Sequence, residues 1–201
     1  MLNASIVSSA GSPSRVALPL SFGFFKEKTP ALLTGSSAVF SLAMLWQTHL
    51  ARKGFLIHNI DCAIRFNTYA IAEEAFRLGF APELIADSIT VTRAFTPYQI
   101  LDATQRIFHE PKRLTFILAP CKQFFDGDVA FDEGLYLLEK LVLLFQKMKA
   151  LKIPLAIIEK NAYSHPVFSS AYAKIKRLSS AVFTLNGLPE NQYAPTYKRG
   201  F

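Results

Sequence analysis

The chain has few of the residues that cross-link small proteins or hold metals. Only two of its 201 residues are cysteines, Cys62 and Cys121, and they lie far apart. Two isolated cysteines do not make a disulfide framework and are typical of a protein from a reducing compartment. The four histidines, at positions 49, 58, 109 and 165, have neither metal-ligand spacing nor a neighbouring cysteine. We therefore expect no disulfide, no metal site and a cytoplasmic location.

Long apolar runs are also missing. No run approaches the ~18 residues that a membrane span requires. Residues 1–14 carry no charged side chain and lack the compact apolar segment of a signal peptide. The sequence thus predicts neither a membrane-spanning helix nor a secretory signal.

Acidic residues are scarcer than basic ones, which gives a formal net charge of +7. This charge favours contact with polyanions such as nucleic acid. A basic surface that binds no polyanion would have the same net charge. Apolar residues, by contrast, are abundant, at 51% of the chain with 18 phenylalanines. That is enough for a sizeable core in one domain.

From residue 31 onward, short β-type runs alternate with helical patterns. Apolar spacing predicts helices after Gly35, over 68–78, after Thr96 and Pro97, over 132–150 and over 169–180. Apolar or β-branched runs predict the strands between them, at 32–35, 55–60, 88–93, 114–118, 154–158 and 181–185. Such alternation predicts an α/β fold with a mainly parallel sheet covered by helices on both faces.

We divide the chain into three parts. Residues 1–25 are an N-terminal arm or lead-in strand, residues 26–190 the core, and residues 191–201 a basic aromatic tail. Within the arm, SPSRVALPL (12–20) suits either a strand that docks on a partner or an extra edge strand of the protein's own sheet.

The stretch LLTGSSAVFSL (32–42) begins like a phosphate-binding loop but does not complete the motif. Such a loop reads G-x-x-x-x-G-K-[ST]. Counted from Gly35, the second glycine falls on Phe40, the lysine on Ser41 and the hydroxyl residue on Leu42.

Three segments, taken in order, resemble the ATPase core of RecA-like recombinases, the RecA/RadA group. SITVTRAFTPYQ (88–99) is similar to that family's third strand and following turn, and IDCAIRFN (60–67) to the end of its second strand. LLTG (32–35) stands where the family's first strand enters its phosphate loop. The resemblance spans about residues 31–187 and implies a RecA-like P-loop NTPase core.

The same resemblance identifies missing catalytic parts. Phe40 places a ring where the phosphate loop needs bare backbone. The family's aspartate at the end of the fourth strand is replaced by Ala119, Pro120 and Cys121, and its catalytic glutamate falls on Ala63. The resemblance therefore implies no ATP hydrolysis, no cofactor and a vestigial nucleotide site made of Gly35, Ser36, Ser37, Phe40, Ser41 and Asp61.

In the family, the loops after the fourth and fifth core strands approach DNA. Here these are KQFFDGD (122–128) and EKNAYSH (159–165), which combine lysine with aromatic residues that can stack on bases. Phe124 and Phe125 suit a core position under a loop equally well. KIKR (174–177), on a predicted helix, is either a basic stripe or a solvated face. The candidates for DNA contact are Lys122, Phe124, Lys160, Lys174, Lys176, Arg177, Lys198 and Arg199.

The leading hypothesis is a non-catalytic RecA-like protein of DNA repair or recombination that binds DNA, a recombinase partner or itself. One alternative is an unrelated α/β enzyme or ligand-binding protein with its site at the carboxyl ends of the strands, where such folds bind ligands. Cys121 would then be the candidate nucleophile. The side chains expected at the carboxyl ends of the strands are Asp61, Cys62, Arg93, Cys121, Glu159 and Lys160. A further alternative is that the protein keeps weak ATP binding for a structural purpose.

Overall fold

A single seven-stranded sheet forms the centre of the computed structural model, which describes residues 6–8, 21–109, 112–126 and 128–185. The strand order is β1-β7-β2-β6-β5-β3-β4. Strands β2 to β7 are parallel, and β1 pairs antiparallel with β7. The strands are β1 (Ile6–Ser8), β2 (Ala31–Gly35), β3 (Ile57–Asp61), β4 (Ile89–Arg93), β5 (Leu114–Leu118), β6 (Leu155–Lys160) and β7 (Ala181–Leu185).

Seven α-helices cover the two faces of the sheet in the described part of the chain. The first four pack with one buried apolar cluster and the last three with another. This confirms the predicted α/β fold with a mainly parallel sheet covered on both faces. The helices are α1 (Phe22–Glu27), α2 (Ala38–Arg52), α3 (Thr68–Arg77), α4 (Pro82–Ala86), α5 (Pro97–Arg106), α6 (Phe131–Ala150) and α7 (Pro166–Leu178).

The inner strands β2, β5 and β6 are mostly apolar on both faces, as expected for strands between two helical layers. Because consecutive side chains of a strand point to opposite faces, Phe116 and Leu118 of β5 belong to the first cluster and Ile117 to the second. An amide pair adds a polar link between α2 and β3. Gln47 and Asn59, both fully buried, exchange two hydrogen bonds of 2.9 and 2.7 Å.

Local signals fix several helix starts. The hydroxyl of Thr96 accepts a hydrogen bond from the backbone N–H of Gln99, and Pro97 occupies the first turn of α5. Helix α7 starts three residues before the predicted position, because His165 Nδ1 accepts from the N–H of Val167 and Pro166 opens the helix. Short 3₁₀ helices follow α5 (Ile107–His109) and β5 (Lys122–Phe125).

The order of the strands determines where a ligand site belongs. The neighbouring strands β2 and β6 lead into helices on opposite faces, and so do β3 and β5. In open α/β sheets, the crevice outside the carboxyl ends of such strands is the usual ligand site. We call this side of the sheet the carboxyl edge, and the opposite side the amino edge.

Two further predictions concern membranes and the chain ends. Among the described residues, no helix is both long and apolar enough to cross a bilayer. The SPSRVALPL segment, Lys198 and Arg199 lie outside the described residues.

Candidate functional site

Gly35, where the resemblance places the start of the phosphate loop, is needed for strand packing. Its φ is +151°, and a Cβ there would lie 2.5 Å from the carbonyl oxygen of Leu185 and 3.2 Å from Cγ1 of Val39. Only glycine lets the β7 backbone come this close. The presence of this glycine is therefore explained without a phosphate.

The residues after Gly35 turn directly into α2. The hydroxyl of Ser36 lies 3.4 Å from the N–H of Ala38, and the carbonyl of Ser36 accepts from the N–H of Val39 at 3.2 Å. Val39 and Phe40 are buried in the first apolar cluster. The guanidinium of Arg65 lies 5.2 Å from the centre of the Phe40 ring. Side chains thus occupy the space beside this turn.

An open cavity of about 390 Å³ remains next to this turn. Ser37, Phe40 and Ser41 line one side, and residues 64–69, which connect β3 to α3, line the other. Arg65 is the basic residue of this lining. The cavity therefore adjoins the residues that the resemblance assigns to a vestigial nucleotide site, but its wall is mainly uncharged.

Asp61, which the resemblance assigns to the same nucleotide site, serves the turn that follows it. Its buried carboxylate accepts hydrogen bonds from the N–H groups of Ala63 at 3.3 Å, Arg65 at 2.8 Å and Phe66 at 3.1 Å. Three backbone donors satisfy the carboxylate without a metal. No group of three His, Cys, Asp or Glu residues suited to a metal ion occurs among the described residues.

The most perturbed carboxyl group at the carboxyl edge is that of Glu159, near the end of β6. It is fully buried and accepts from the N–H of Cys121 and of Lys160, both at 2.9 Å. Burial raises its pKa to about 7, although these hydrogen bonds and the charge of Arg65 act in the opposite direction. Sequence patterns did not single out this residue as titratable near neutral pH.

Two buried thiols adjoin Glu159. Burial raises the pKa of Cys121 and of Cys62 well above the ordinary thiol value, and the charge of Glu159 raises both further. A buried thiol of raised pKa is protonated at neutral pH and unreactive. The structure therefore argues against Cys121 as a nucleophile. Of the six side chains expected at this edge, Arg93 ends the outer strand β4, in register with Asp61, and is exposed.

The two loops that the resemblance places near DNA do meet. The Phe125 ring packs against Tyr163 with ring centres 5.4 Å apart and stacks on His165 at 5.0 Å. Lys160 Nζ lies 5.5 Å from the centre of the Tyr163 ring. The rings of these loops thus contact one another, which reduces the area available for stacking on bases.

Phe124 requires a correction. It is 1% exposed and belongs to the second apolar cluster, so it cannot stack on a base in this structure. A Cβ on Gly134 would lie 2.1 Å from its carbonyl oxygen, which shows how closely α6 packs on this segment. Phe124 is a core residue, the alternative that the sequence left open, whereas Lys122 beside it is half-buried.

The basic residues of KIKR lie at the opposite end of the molecule. Lys174 forms an ion pair with Glu139, and Lys176 and Arg177 are exposed. Because the helices run antiparallel to the strands, the end of α7 lies at the amino edge. The predicted contact residues therefore divide into two groups, with Lys122 and Lys160 at the carboxyl edge.

Basic residues at the ends of helices are a general feature of this fold. Helices α2, α3, α5, α6 and α7 all have at least one in their last turn. These helices all end at the amino edge, so their basic residues lie there, although Arg77 and Arg106 form ion pairs with Glu74 and Asp102 of their own helices. Four acidic residues, Asp126, Asp128, Asp132 and Glu133, precede or begin α6 at the carboxyl edge. The sequence contained this signal, but only the topology shows that the charges share one side.

Comparison with known proteins adds no family to this description. The chain matches no protein-family model, and no curated protein sequence matches it significantly.

Proposed function

We propose that this chain is a cytoplasmic, non-catalytic RecA-like protein that acts in DNA repair or recombination by binding DNA, a recombinase partner or itself. The observation that carries the non-catalytic part of the proposal is the packing at the end of β2. Gly35 abuts Leu185 and Val39, and Phe40 is buried where a phosphate loop needs bare backbone.

Loss of ATP hydrolysis follows from the chemistry that a triphosphate needs. Phosphoryl transfer requires a backbone cradle, a lysine and a held Mg²⁺ ion. The turn at residues 35–40 carries no lysine, and the carboxylate of Asp61 is used by three backbone N–H groups. The remaining cavity beside Ser37 and Ser41 offers Arg65 as its basic group, and that guanidinium lies over Phe40.

Nucleic acid is the binding partner that the net charge of +7 favours. With about four to six phosphate contacts, we expect a log–log slope of affinity against salt of roughly −3 to −5. Two free, buried cysteines are consistent with a reducing, cytoplasmic environment.

Two measurements on the full chain test the proposal. ATP with Mg²⁺ should leave the melting temperature unchanged, because only a ligand that binds the native state raises it. Labelled DNA titrated at two salt concentrations should bind with the slope given above. A clear rise of the melting temperature with ATP–Mg²⁺, or failure to bind DNA and a RecA-like recombinase while remaining monomeric, would contradict the proposal.

A ligand-binding protein of another kind is the second candidate, and the cavity of about 390 Å³ beside α2 favours it. Its test is a screen for small molecules that stabilise the wild type. Ser41→Phe introduces a ring into the cavity wall and should abolish such stabilisation. The high thiol pKa values leave this candidate without Cys121 as a nucleophile.

A further inference from the structure

We infer that the phosphate backbone of nucleic acid binds at the amino edge, in the groove between α6 and α7, and not at the loops of the carboxyl edge. This inference rests on the proposed nucleic-acid binding and assigns its site. The groove has a volume of about 320 Å³, and Lys149, Lys174 and Arg177 line it.

The groove runs along one stripe of α6. Its lining residues Glu139, Val142, Gln146 and Lys149 recur at helical spacing. At about 1.5 Å per residue, this stripe is about 15 Å long. A DNA strand places one phosphate every ~3.4 Å along the axis, so the groove passes about four phosphates.

The two walls of the groove are fixed to each other. Lys149 Nζ donates a hydrogen bond of 2.7 Å to the carbonyl oxygen of Leu178 at the end of α7. The ion pair between Lys174 and Glu139 joins the same two helices further along. A polyanion therefore meets a surface whose geometry is already set, which reduces the entropy cost of binding.

The helix dipole explains only part of this charge. A basic residue in a last turn stabilises its own helix by about 0.3–1 kcal/mol. It does not explain why the ends of two neighbouring helices direct several cations to one groove, where like charges repel. Among the described lining residues the only carboxylate is Glu139, which is ion-paired with Lys174. A bound polyanion would relieve the remaining repulsion. The basic residues of these two helix ends are Lys147, Lys149, Lys152, Lys174, Lys176 and Arg177, of which Lys149, Lys174 and Arg177 line the groove.

The lining also indicates which nucleic acid fits. Sequence-tolerant binding of single strands relies on bases that stack on aromatic rings. The described lining contains no aromatic residue. We therefore expect contacts to phosphates alone, with little sequence preference and with duplex DNA bound at least as tightly as a single strand.

The test is a charge reversal of two exposed cations that line the groove, Lys149 and Arg177. Fluorescence anisotropy of a labelled duplex of about 20 base pairs measures binding to the wild type and to K149E/R177E. Each lost phosphate contact removes about one unit of salt slope. The double variant should lower affinity about tenfold or more and reduce the slope by roughly two.

Two other double variants make the result specific. R93E/K140E removes the same net charge at exposed positions outside the groove, and K122E/K160E tests the rival loops. We expect both to keep affinity within about threefold of the wild type, apart from the small effect of net charge. Melting temperatures verify that all variants are folded.

The outcomes separate the inference from the function. An equal loss in all three variants, or a larger loss in K122E/K160E, would overturn the groove while leaving nucleic-acid binding intact. Failure of the wild type to bind either duplex or single-stranded DNA would instead remove the nucleic-acid branch of the proposed function, and the groove with it.

Discussion

At Gly35 the absence of a side chain allows β2 to pair with β7 up to its last residue. The Cα of Gly35 is in register with Leu185, and a Cβ would lie 2.5 Å from the Leu185 carbonyl oxygen. The same glycine would be read from sequence as part of a phosphate loop. Close strand approach and phosphate binding both select glycine, because each needs bare backbone.

Gly35→Ala should therefore lower the free energy of unfolding by about 2–4 kcal/mol, through a backbone clash and an unfavourable φ. Gly54→Ala is the matched control. Its φ is +83°, but nothing lies within 4 Å of the added Cβ, so only backbone strain of about 1 kcal/mol is expected. Urea denaturation of both variants measures the difference, and equal losses would show that β7 can move away from Gly35.

Glu159 makes stability depend on pH. Its pKa is about 7 in the folded protein, against 4.5 for an unperturbed glutamate. Between these values the folded state holds a proton that the unfolded state has released. The contribution of this group to the free energy of unfolding is therefore greatest below about pH 4.5, falls as the pH rises to about 7, and is constant above that. The total loss over this range is up to about 3 kcal/mol.

Comparison of the wild type with Glu159→Gln isolates this effect, since the other titrating groups are shared. Gln cannot ionise, so the difference in unfolding free energy should change steadily in favour of the variant between about pH 5 and pH 7. Gln can accept only through one oxygen, so either the Cys121 or the Lys160 N–H loses its acceptor, which adds a constant cost. Parallel stability curves over this range would contradict a buried, protonated Glu159.

The burial and hydrogen-bond partners of a residue could be predicted from the sequence only where they depend on residues close to it in the chain. The role of Asp61 depends on nearby sequence, because an aspartate at a strand end can cap the next turn and its hydrogen-bond partners lie within five residues. The burial of Glu159 was not visible, because its partner Cys121 is 38 positions away and becomes its neighbour only through the pairing of β5 with β6.

At the scale of elements, the six parallel strands and the five longer helices were predictable from periodicity. Helices α1 and α4, of six and five residues, were not predicted because they are too short to show a period. Helix α3 shows a second limit. Apolar spacing places Phe76 inward and Glu74 outward, but Phe76 is 69% exposed and Glu74 is 4% exposed.

Tertiary packing explains this reversal in α3. Glu74 lies 2.9 Å from His49 of α2 and accepts hydrogen bonds from Arg77, so its burial is compensated by a polar neighbour and the charge of Arg77. The face of α3 that meets α2 is therefore partly polar. A hydrophobic pattern cannot identify such a face, because it assigns every charged residue to the surface, including one that is buried with a partner.

At the scale of the whole molecule, the sequence gives the net charge of +7 but not its arrangement. Each βα unit returns its helix to the amino edge, so the basic residues in the last turns of α2, α3, α5, α6 and α7 lie on the same side. Local helix stabilisation, repeated along the chain, thus produces a global polarity. The two candidate DNA-binding sites lie at opposite edges of the sheet. The loops that the RecA-like resemblance places near DNA are at the carboxyl edge, and the groove between α6 and α7 is at the amino edge.

A polarity of this kind costs stability when nothing neutralises it. Screening shortens the reach of charge repulsion from ~30 Å at 0.01 M salt to ~10 Å at 0.1 M. Raising NaCl over this range should therefore raise the melting temperature of the wild type by a few degrees, about what 1 kcal/mol gives in a chain of this size.

K176Q/R177Q removes two cations of the crowded edge and should show a smaller rise, whereas R93Q/K140Q removes two cations elsewhere and should respond as the wild type does. Calorimetry at several salt concentrations measures the three responses. Equal slopes would mean that the amino-edge charges are too far apart to repel one another, and the groove would lose the electrostatic reason for binding a polyanion.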